Sequence, residues 1–211
     1  MAEDIESLVK SFAKDMDKVC ADLRKARMEQ NKKDAEKAKK DPKKDDKKKD
    51  DKKDPPVVTW ALDPNKVTKE RTPEEQAAEV AAGRSWVCWS SHMAGSARHV
   101  IMKVDGKVNW EPKKTMGDDF NDFKKGWGDV MKRYSLKNYK GGDGWADGDE
   151  FHLELPDSKM DKSDKRVGQC FEEYAKLTRK DGKTKNEKFE TDYAKDLEKY
   201  LKPYEKKEEK K

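Results

Sequence analysis

The sequence predicts an α+β fold in which a small, mainly antiparallel sheet packs with helices. Apolar residues recur at helical spacing in several segments, other segments are rich in β-branched and aromatic residues, and an Asp-Gly pair joins two of these as a hairpin. A charged stretch sets the first helix apart from the rest. We therefore divide the chain into an amphipathic helix (1–31), a charged disordered linker (32–56), a globular domain (57–204) and a charged tail (205–211).

The composition limits both the core and the class of function. Apolar residues make up 32% of the 211 residues and charged residues 45%, so part of the chain cannot join a packed core. The 50 Lys and Arg nearly balance the 45 Asp and Glu, which argues against a dedicated polyanion binder. No apolar run approaches the roughly 20 residues of a membrane helix, and the N-terminus lacks the pattern of a secretory signal. We expect a cytoplasmic protein without a membrane span.

The first segment predicts a single amphipathic helix. Its apolar residues form one stripe at spacings of three and four: Ile5, Leu8, Val9, Phe12, Met16, Val19, Cys20 and Leu23. One helix cannot bury such a stripe against itself, so it needs a partner surface. Three partners compete: the globular part of the same chain, a second copy in a coiled coil, or a groove in another protein.

The linker is a mixture of lysine and acidic residues. Residues 32–54 hold twelve Lys and eight Asp or Glu, which favours a well-solvated tether. Weak nucleic-acid binding through these lysines is the alternative. It is less favoured because the interleaved acids compete with phosphate for each Lys.

The first half of the globular part predicts a helix and a hairpin. Residues 57–60 suggest an edge strand. Thr72, followed by Pro73 and two glutamates, indicates a helix start, and Gly83 its end. Two β-rich runs, 85–90 and 99–104, follow, and the second continues through Asp105-Gly106 into 107–110 as a hairpin.

The second half predicts three helices and one more strand. A helix over 118–134 contains Gly126 and Gly128, which indicate a break or a close contact. A glycine-rich loop precedes an alternating strand at 151–155. Two aromatic-rich helices, at about 167–177 and 189–204, complete the domain.

The three cysteines, Cys20, Cys88 and Cys170, are odd in number and form no Cys-x-x-Cys pair. This favours free thiols over a disulfide scaffold or a zinc site, with Cys88 and Cys170 as small core residues. Nucleotide-binding and common hydrolase motifs are missing from the sequence, so we expect no cofactor.

Two candidate chemical sites compete with simpler interpretations. Cys88 and His99 would form a nucleophile and base if their strands were neighbours, and His92 and His152 are the remaining histidines. The simpler interpretation makes Cys88 a small residue among aromatics. A calcium loop would use acidic residues of the glycine-rich segment and the following strand: Asp143, Asp147, Asp149 and Glu154. Trp145 occupies a ligand position of that motif, which favours an ordinary strand connection.

The tryptophans suggest a binding surface. In an alternating strand, one of Trp86 and Trp89 faces inwards and the other outwards, so at least one marks a ligand or partner surface. We therefore predict a non-enzymatic protein-interaction or assembly module. Its partner-binding residues are the helical stripe and one tryptophan: Ile5, Leu8, Val9, Phe12, Met16, Val19, Leu23 and Trp89. The alternatives are a small cysteine-dependent hydrolase that uses Cys88 and His99, and weak nucleic-acid binding.

Overall fold

The chain has an α+β fold that forms two compact units. The structure is a computed structural model and describes residues 4–40, 54–64, 70–138, 151–156, 160–181 and 186–205. Unit 1 contains Met1–Lys66 and Arg98–Pro156, and unit 2 contains Val67–Ala97 and Asp157–Lys211. Each unit has its own hydrophobic core. This division differs from the predicted single domain over 57–204, because the chain leaves the first core after β1 and returns to it later.

Unit 1 holds a long N-terminal helix and a four-stranded sheet. The helices are α1 (Ile5–Lys40), α3 (Pro112–Met116) and α4 (Phe120–Arg133), with a 3₁₀ turn at Gly117–Asp119 before α4. Helix α1 continues through residues 32–40 of the predicted linker, which corrects the predicted helix end at residue 31. Residues 41–53 of that linker lie outside the described residues.

The sheet consists of β1 (Val58–Leu62), β2 (Ala97–Val104), β3 (Lys107–Asn109) and β4 (His152–Glu154). Strand β2 is central: β1 and β3 pair with it in antiparallel register, and β4 also pairs with it. The hairpin between β2 and β3 is confirmed, and its turn residues Asp105 and Gly106 have φ values of 48° and 80°. These positive values are what an Asp-Gly hairpin turn requires.

The predicted strand at 85–90 does not form. These residues make bends and irregular backbone in unit 2. The Gln76 side chain, fully buried in the preceding helix, donates to the Val87 carbonyl at 2.6 Å and to the Ser85 hydroxyl at 2.7 Å. The Gln76 side chain thus occupies a backbone carbonyl that would accept a hydrogen bond from a neighbouring strand in a sheet.

Helix α1 packs on β1 and α4 of its own unit. Its buried stripe joins the aromatic core, where the Phe12 ring lies 4.7 Å from the Trp127 ring. The Asp17 carboxylate accepts the backbone N–H of Trp60 at 2.6 Å, and the Arg24 guanidinium donates to the Pro55 carbonyl at 2.9 Å. Of the three candidate partners, the globular part of the same chain therefore covers the stripe, which corrects the prediction that the stripe is a surface for another molecule.

Unit 2 is helical. It contains α2 (Pro73–Ala81), α5 (Lys165–Asp181), α6 (Glu187–Asp192) and α7 (Ala194–Glu205). The predicted start of α2 is confirmed: Thr72 and Glu75 form a reciprocal capping box. The second of the predicted C-terminal helices is split into α6 and α7 at Tyr193. In the part of the chain that the structure describes, none of the helices is apolar over a bilayer-spanning length.

Candidate functional site

The partner-binding stripe predicted on α1 is largely unavailable. Five of its apolar residues are buried in the core of unit 1: Ile5, Val9, Phe12, Met16 and Cys20. Leu8, Val19 and Leu23 are half-buried. Exposing a large apolar side chain costs about 1.5–3 kcal/mol, so presenting this stripe to another protein would disrupt unit 1.

The proposed nucleophile, Cys88, lies in the core of unit 2. Its side chain is fully buried, and burial together with the Cys170 thiol raises the pKa of Cys88 above its ordinary value. The thiolate that nucleophilic catalysis needs is therefore disfavoured at neutral pH. His99, the proposed base, lies on β2 in unit 1.

Two of the three histidines meet in unit 1. The imidazole rings of His99 on β2 and His152 on β4 are 5.1 Å apart, edge to face, and both are buried. The His152 Nε2 atom lies 3.2 Å from a carboxylate oxygen of Glu154. Glu154 also exchanges backbone hydrogen bonds with Lys137, so it is a strand residue with an engaged side chain. His92 lies in unit 2.

The other residues of the alternative calcium loop, Asp143, Asp147 and Asp149, lie outside the described residues, as does Trp145.

The predicted contrast between Trp86 and Trp89 is present, although the segment is not a strand. The Trp86 side chain is 43% exposed, whereas Trp89 is half-buried. In unit 1, Trp110 is also largely exposed. Trp89 also lines a cavity.

This cavity lies within unit 2 and has a volume of about 440 Å³, within the usual range for ligand-binding sites. Its floor is apolar and aromatic, and consists of Trp89, Val167, Gly168, Phe171 and Tyr200. Its rim is polar and mostly exposed, and consists of Lys162, Ser163, Asp164, Lys165, Asp196 and Lys199. Val167 and Phe171 are buried and the other floor residues are half-buried, so the lining has an apolar centre and a polar rim, as protein interfaces do.

Trp89 is held by one aromatic and one cationic neighbour. The Tyr193 ring meets it edge to face at 5.1 Å, and the Lys162 ammonium lies 4.0 Å from the Trp89 ring centroid. The indole is thus packed on one side and polarised by a cation, a geometry worth about 0.5–1 kcal/mol at an exposed site.

Two other rings of the lining are stacked on each other. Phe171 and Tyr200 are nearly parallel, with an interplanar angle of 7° and ring centroids 5.7 Å apart. The Lys199 ammonium lies 4.6 Å from the Tyr200 ring centroid. Gly168 allows the close approach of Tyr200, since a β-carbon there would lie 2.9 Å from the Tyr200 hydroxyl.

The carboxylate at the start of α5 is already engaged. Asp164 accepts the backbone N–H of Arg166 at 2.8 Å and pairs with the Arg166 guanidinium at 3.0 Å, and these contacts lower the pKa of Asp164. Arg166 also donates to the Met93 carbonyl at 3.0 Å. By contrast, Lys162, Lys165 and Lys199 form no ion pair with a carboxylate of the described residues. Because Arg166 pairs with Asp164, the three lysines outnumber the one remaining carboxylate of the rim, Asp196, and the net charge of the rim is positive.

Comparison of the chain with protein-family models, curated proteins and solved structures finds no match. Inference about function therefore depends on the geometry of the cavity. The sequence indicated Trp89 alone, because the rim lysines are three among the 42 lysines of the chain. No local pattern in the sequence distinguishes Lys162, Lys165 and Lys199 from the other lysines.

Proposed function

We propose that the protein is a non-enzymatic protein-interaction module, and that unit 2 binds an acidic segment of a partner protein in the cavity around Trp89. The observation that carries this proposal is the combination of an aromatic floor with three exposed lysines, Lys162, Lys165 and Lys199, that form no ion pair with a carboxylate of the described residues. The proposal keeps the predicted class of function and one of its predicted residues. It moves the binding surface from α1 to unit 2.

The charge of the rim supports an acidic ligand. Two carboxylates, Asp164 and Asp196, also line the cavity, but Asp164 is neutralised by Arg166. A glutamate or aspartate of the partner would meet a lysine at each side of the opening. Such rim contacts contribute little affinity each, on the order of 0.5 kcal/mol, but they select the sign of the ligand and raise the association rate.

The floor supports an aromatic or large apolar anchor within that acidic segment. Three of the floor residues, Trp89, Phe171 and Tyr200, carry aromatic rings. A phenylalanine side chain of the partner would bury its ring there, and buried aromatic anchors supply most of the energy of typical interfaces. The exposed rim favours a segment of a protein, since a chain can leave the cavity on either side.

The probe for this proposal is a fluorescein-labelled peptide of glutamates around one phenylalanine, compared with the same peptide carrying lysines. We expect the glutamate peptide to raise the fluorescence anisotropy on addition of the full-length protein, and its affinity to fall as salt increases. Equal binding of both peptides, or no binding of either at low salt, would contradict the proposal.

Matched variants locate the binding surface. Trp89→Ala should weaken binding of the glutamate peptide by about tenfold or more, as loss of an aromatic anchor does. Trp86→Ala, in the same segment but outside the cavity, should leave affinity unchanged. Lys199→Glu should weaken binding. Lys195 is also an exposed lysine of α7 but does not line the cavity, so Lys195→Glu should have a smaller effect. If the members of each pair behave alike, the cavity is not the binding surface.

A further inference from the structure

Two cysteines meet in the core of unit 2. Cys88 lies in the segment between α2 and β2, and Cys170 lies in α5. Their Sγ atoms are 2.8 Å apart, and both side chains are fully buried. This pairing is not predictable from the sequence, because 82 residues separate the two positions.

The distance brings the two sulfur atoms within reach of a covalent bond. A disulfide needs an Sγ–Sγ distance of about 2.05 Å, so the gap closes by less than about 1 Å, which small side-chain rotations can supply. The third cysteine does not compete for either partner, since Cys20 is buried in the core of unit 1 and accepts the indole N–H of Trp60 at 3.4 Å.

We propose that Cys88 and Cys170 are a modification site at which an intramolecular disulfide forms under oxidising conditions. The bond joins the segment that carries Trp89 to the helix that carries Phe171. This proposal does not rest on the binding function proposed for unit 2, because it concerns the bond alone. In the structure Cys20, Cys88 and Cys170 are all free thiols, as the sequence predicts, and the proposal concerns the oxidation of two of them.

The oxidant is a low-molecular-weight disulfide such as oxidised glutathione. One protein thiolate attacks a sulfur of the oxidant, forms a mixed disulfide and expels one glutathione thiolate. The second protein thiolate then attacks the mixed disulfide, forms the Cys88–Cys170 bond and expels the second glutathione. Two protons leave the protein thiols, and the two electrons reduce the oxidant. Because both sulfurs are buried, the exchange proceeds during folding or transient opening.

Refolding of the reduced full chain in a glutathione buffer tests the proposal. After refolding, iodoacetamide blocks free thiols under denaturing conditions, and peptide mass spectrometry maps the linkages. We expect the peptides of Cys88 and Cys170 to be recovered joined, with the loss of two hydrogen atoms, and Cys20 to be recovered alkylated. Recovery of Cys88 and Cys170 alkylated, bound to glutathione, or linked to Cys20 would overturn the proposal.

Thermal unfolding shows whether the link is native. Closure of a loop this long should raise the melting temperature of the oxidised protein on the order of 10 °C above that of the reduced protein. Cys20→Ala should retain this shift, and Cys88→Ala should abolish it. A linked protein that melts below the reduced form would mark a non-native crosslink and would overturn the proposal. Mapping of the unmodified chain remains decisive if a variant fails to fold.

Discussion

The Cγ1 atom of Val19 lies 2.5 Å from the position that a β-carbon would occupy on Gly126. Helices α1 and α4 therefore meet at a residue without a side chain, which lets them approach closely. Nearby in the same core, the Phe12 ring packs edge to face on Trp127. Gly126, which lowers the helix propensity of α4, is thus the position at which the N-terminal helix packs against it.

Gly126→Ala should destabilise the protein. Alanine gains up to about 1 kcal/mol of helix propensity, but the added methyl group overlaps Val19, whose branched side chain has little rotamer freedom in a helix. Overpacking typically costs about 1–3 kcal/mol, so the net free energy of unfolding should fall. Urea denaturation of the full chain measures this change.

Gly128→Ala is the matched control on the same helix. A β-carbon at Gly128 would have no neighbour within 4 Å, so this variant should gain up to about 1 kcal/mol from propensity alone. If both alanine variants are equally stabilised, α1 does not pack against α4 as described.

Asp15 makes the stability of unit 1 depend on pH. Hydrogen bonds from Lys18 and Tyr134, together with one from Arg133, lower the pKa of Asp15 to about 2. Its folded-state pKa lies below the ordinary value of 3.8 for an aspartate, so its ion pairs stabilise the fold above about pH 4. That stabilisation should be lost as the pH falls from about 4 through 2.

Asp15→Asn tests this dependence. The variant should be less stable than the parent at pH 7, and the difference should shrink as the pH falls to about 2, because protonation removes the same charge from the parent. Asp22→Asn, an exposed carboxylate on the same helix, should give a smaller difference at pH 7. A difference for Asp15→Asn that stays constant from pH 7 to 2 would exclude the predicted linkage.

Features that depend on a few adjacent residues were predicted correctly from the sequence. The turn at Asp105-Gly106 and the cap at Thr72 formed as predicted, because each depends on a few adjacent residues. The α+β class followed from the periodicity of several such segments. The apolar stripe of α1 also identified a buried face, since a stripe of that width must be covered.

Features that depend on contacts between residues far apart in the sequence were not predicted. An apolar stripe shows that a helix face is buried but does not show which surface covers it. The hydrogen bond from the Trp60 N–H to Asp17, which joins α1 to β1, links residues that are far apart in the sequence. The β-rich run at 85–90 was diverted from a sheet by the buried amide of Gln76. The rim lysines of the cavity became distinctive only when α5 and α7 brought them around Trp89.

Asn186 joins three helices of unit 2. Its side-chain oxygen accepts the Phe189 N–H, its amide group donates to the Val80 carbonyl, and its backbone N–H donates to the Tyr174 hydroxyl, each at 3.0 Å. Asn186→Ala removes the helix cap and a buried hydrogen bond, so the free energy of unfolding should fall by about 2–3 kcal/mol. Thr191→Ala, an exposed position on the same helix, should change it by less than about 0.5 kcal/mol in the same denaturation experiment.

Gly168→Ala should affect the proposed binding more than it affects stability. The added β-carbon would lie 2.9 Å from the Tyr200 hydroxyl, at the end of a half-buried side chain that can move. Propensity gain and crowding then nearly cancel, and stability should stay within about 1 kcal/mol of the parent. The displaced ring alters the cavity, so the anisotropy assay should show several-fold weaker binding of the glutamate peptide.

Tyr200→Phe separates this effect from a general loss of structure. Removal of the hydroxyl leaves the Tyr200 Cζ atom as the nearest neighbour of the new β-carbon, at an ordinary contact distance of 4.0 Å. Combining Gly168→Ala with Tyr200→Phe should therefore restore most of the lost peptide affinity, which a double-mutant cycle measures as a coupling between the two sites. Parent-like peptide binding by Gly168→Ala alone would show that the partner segment does not occupy this cavity.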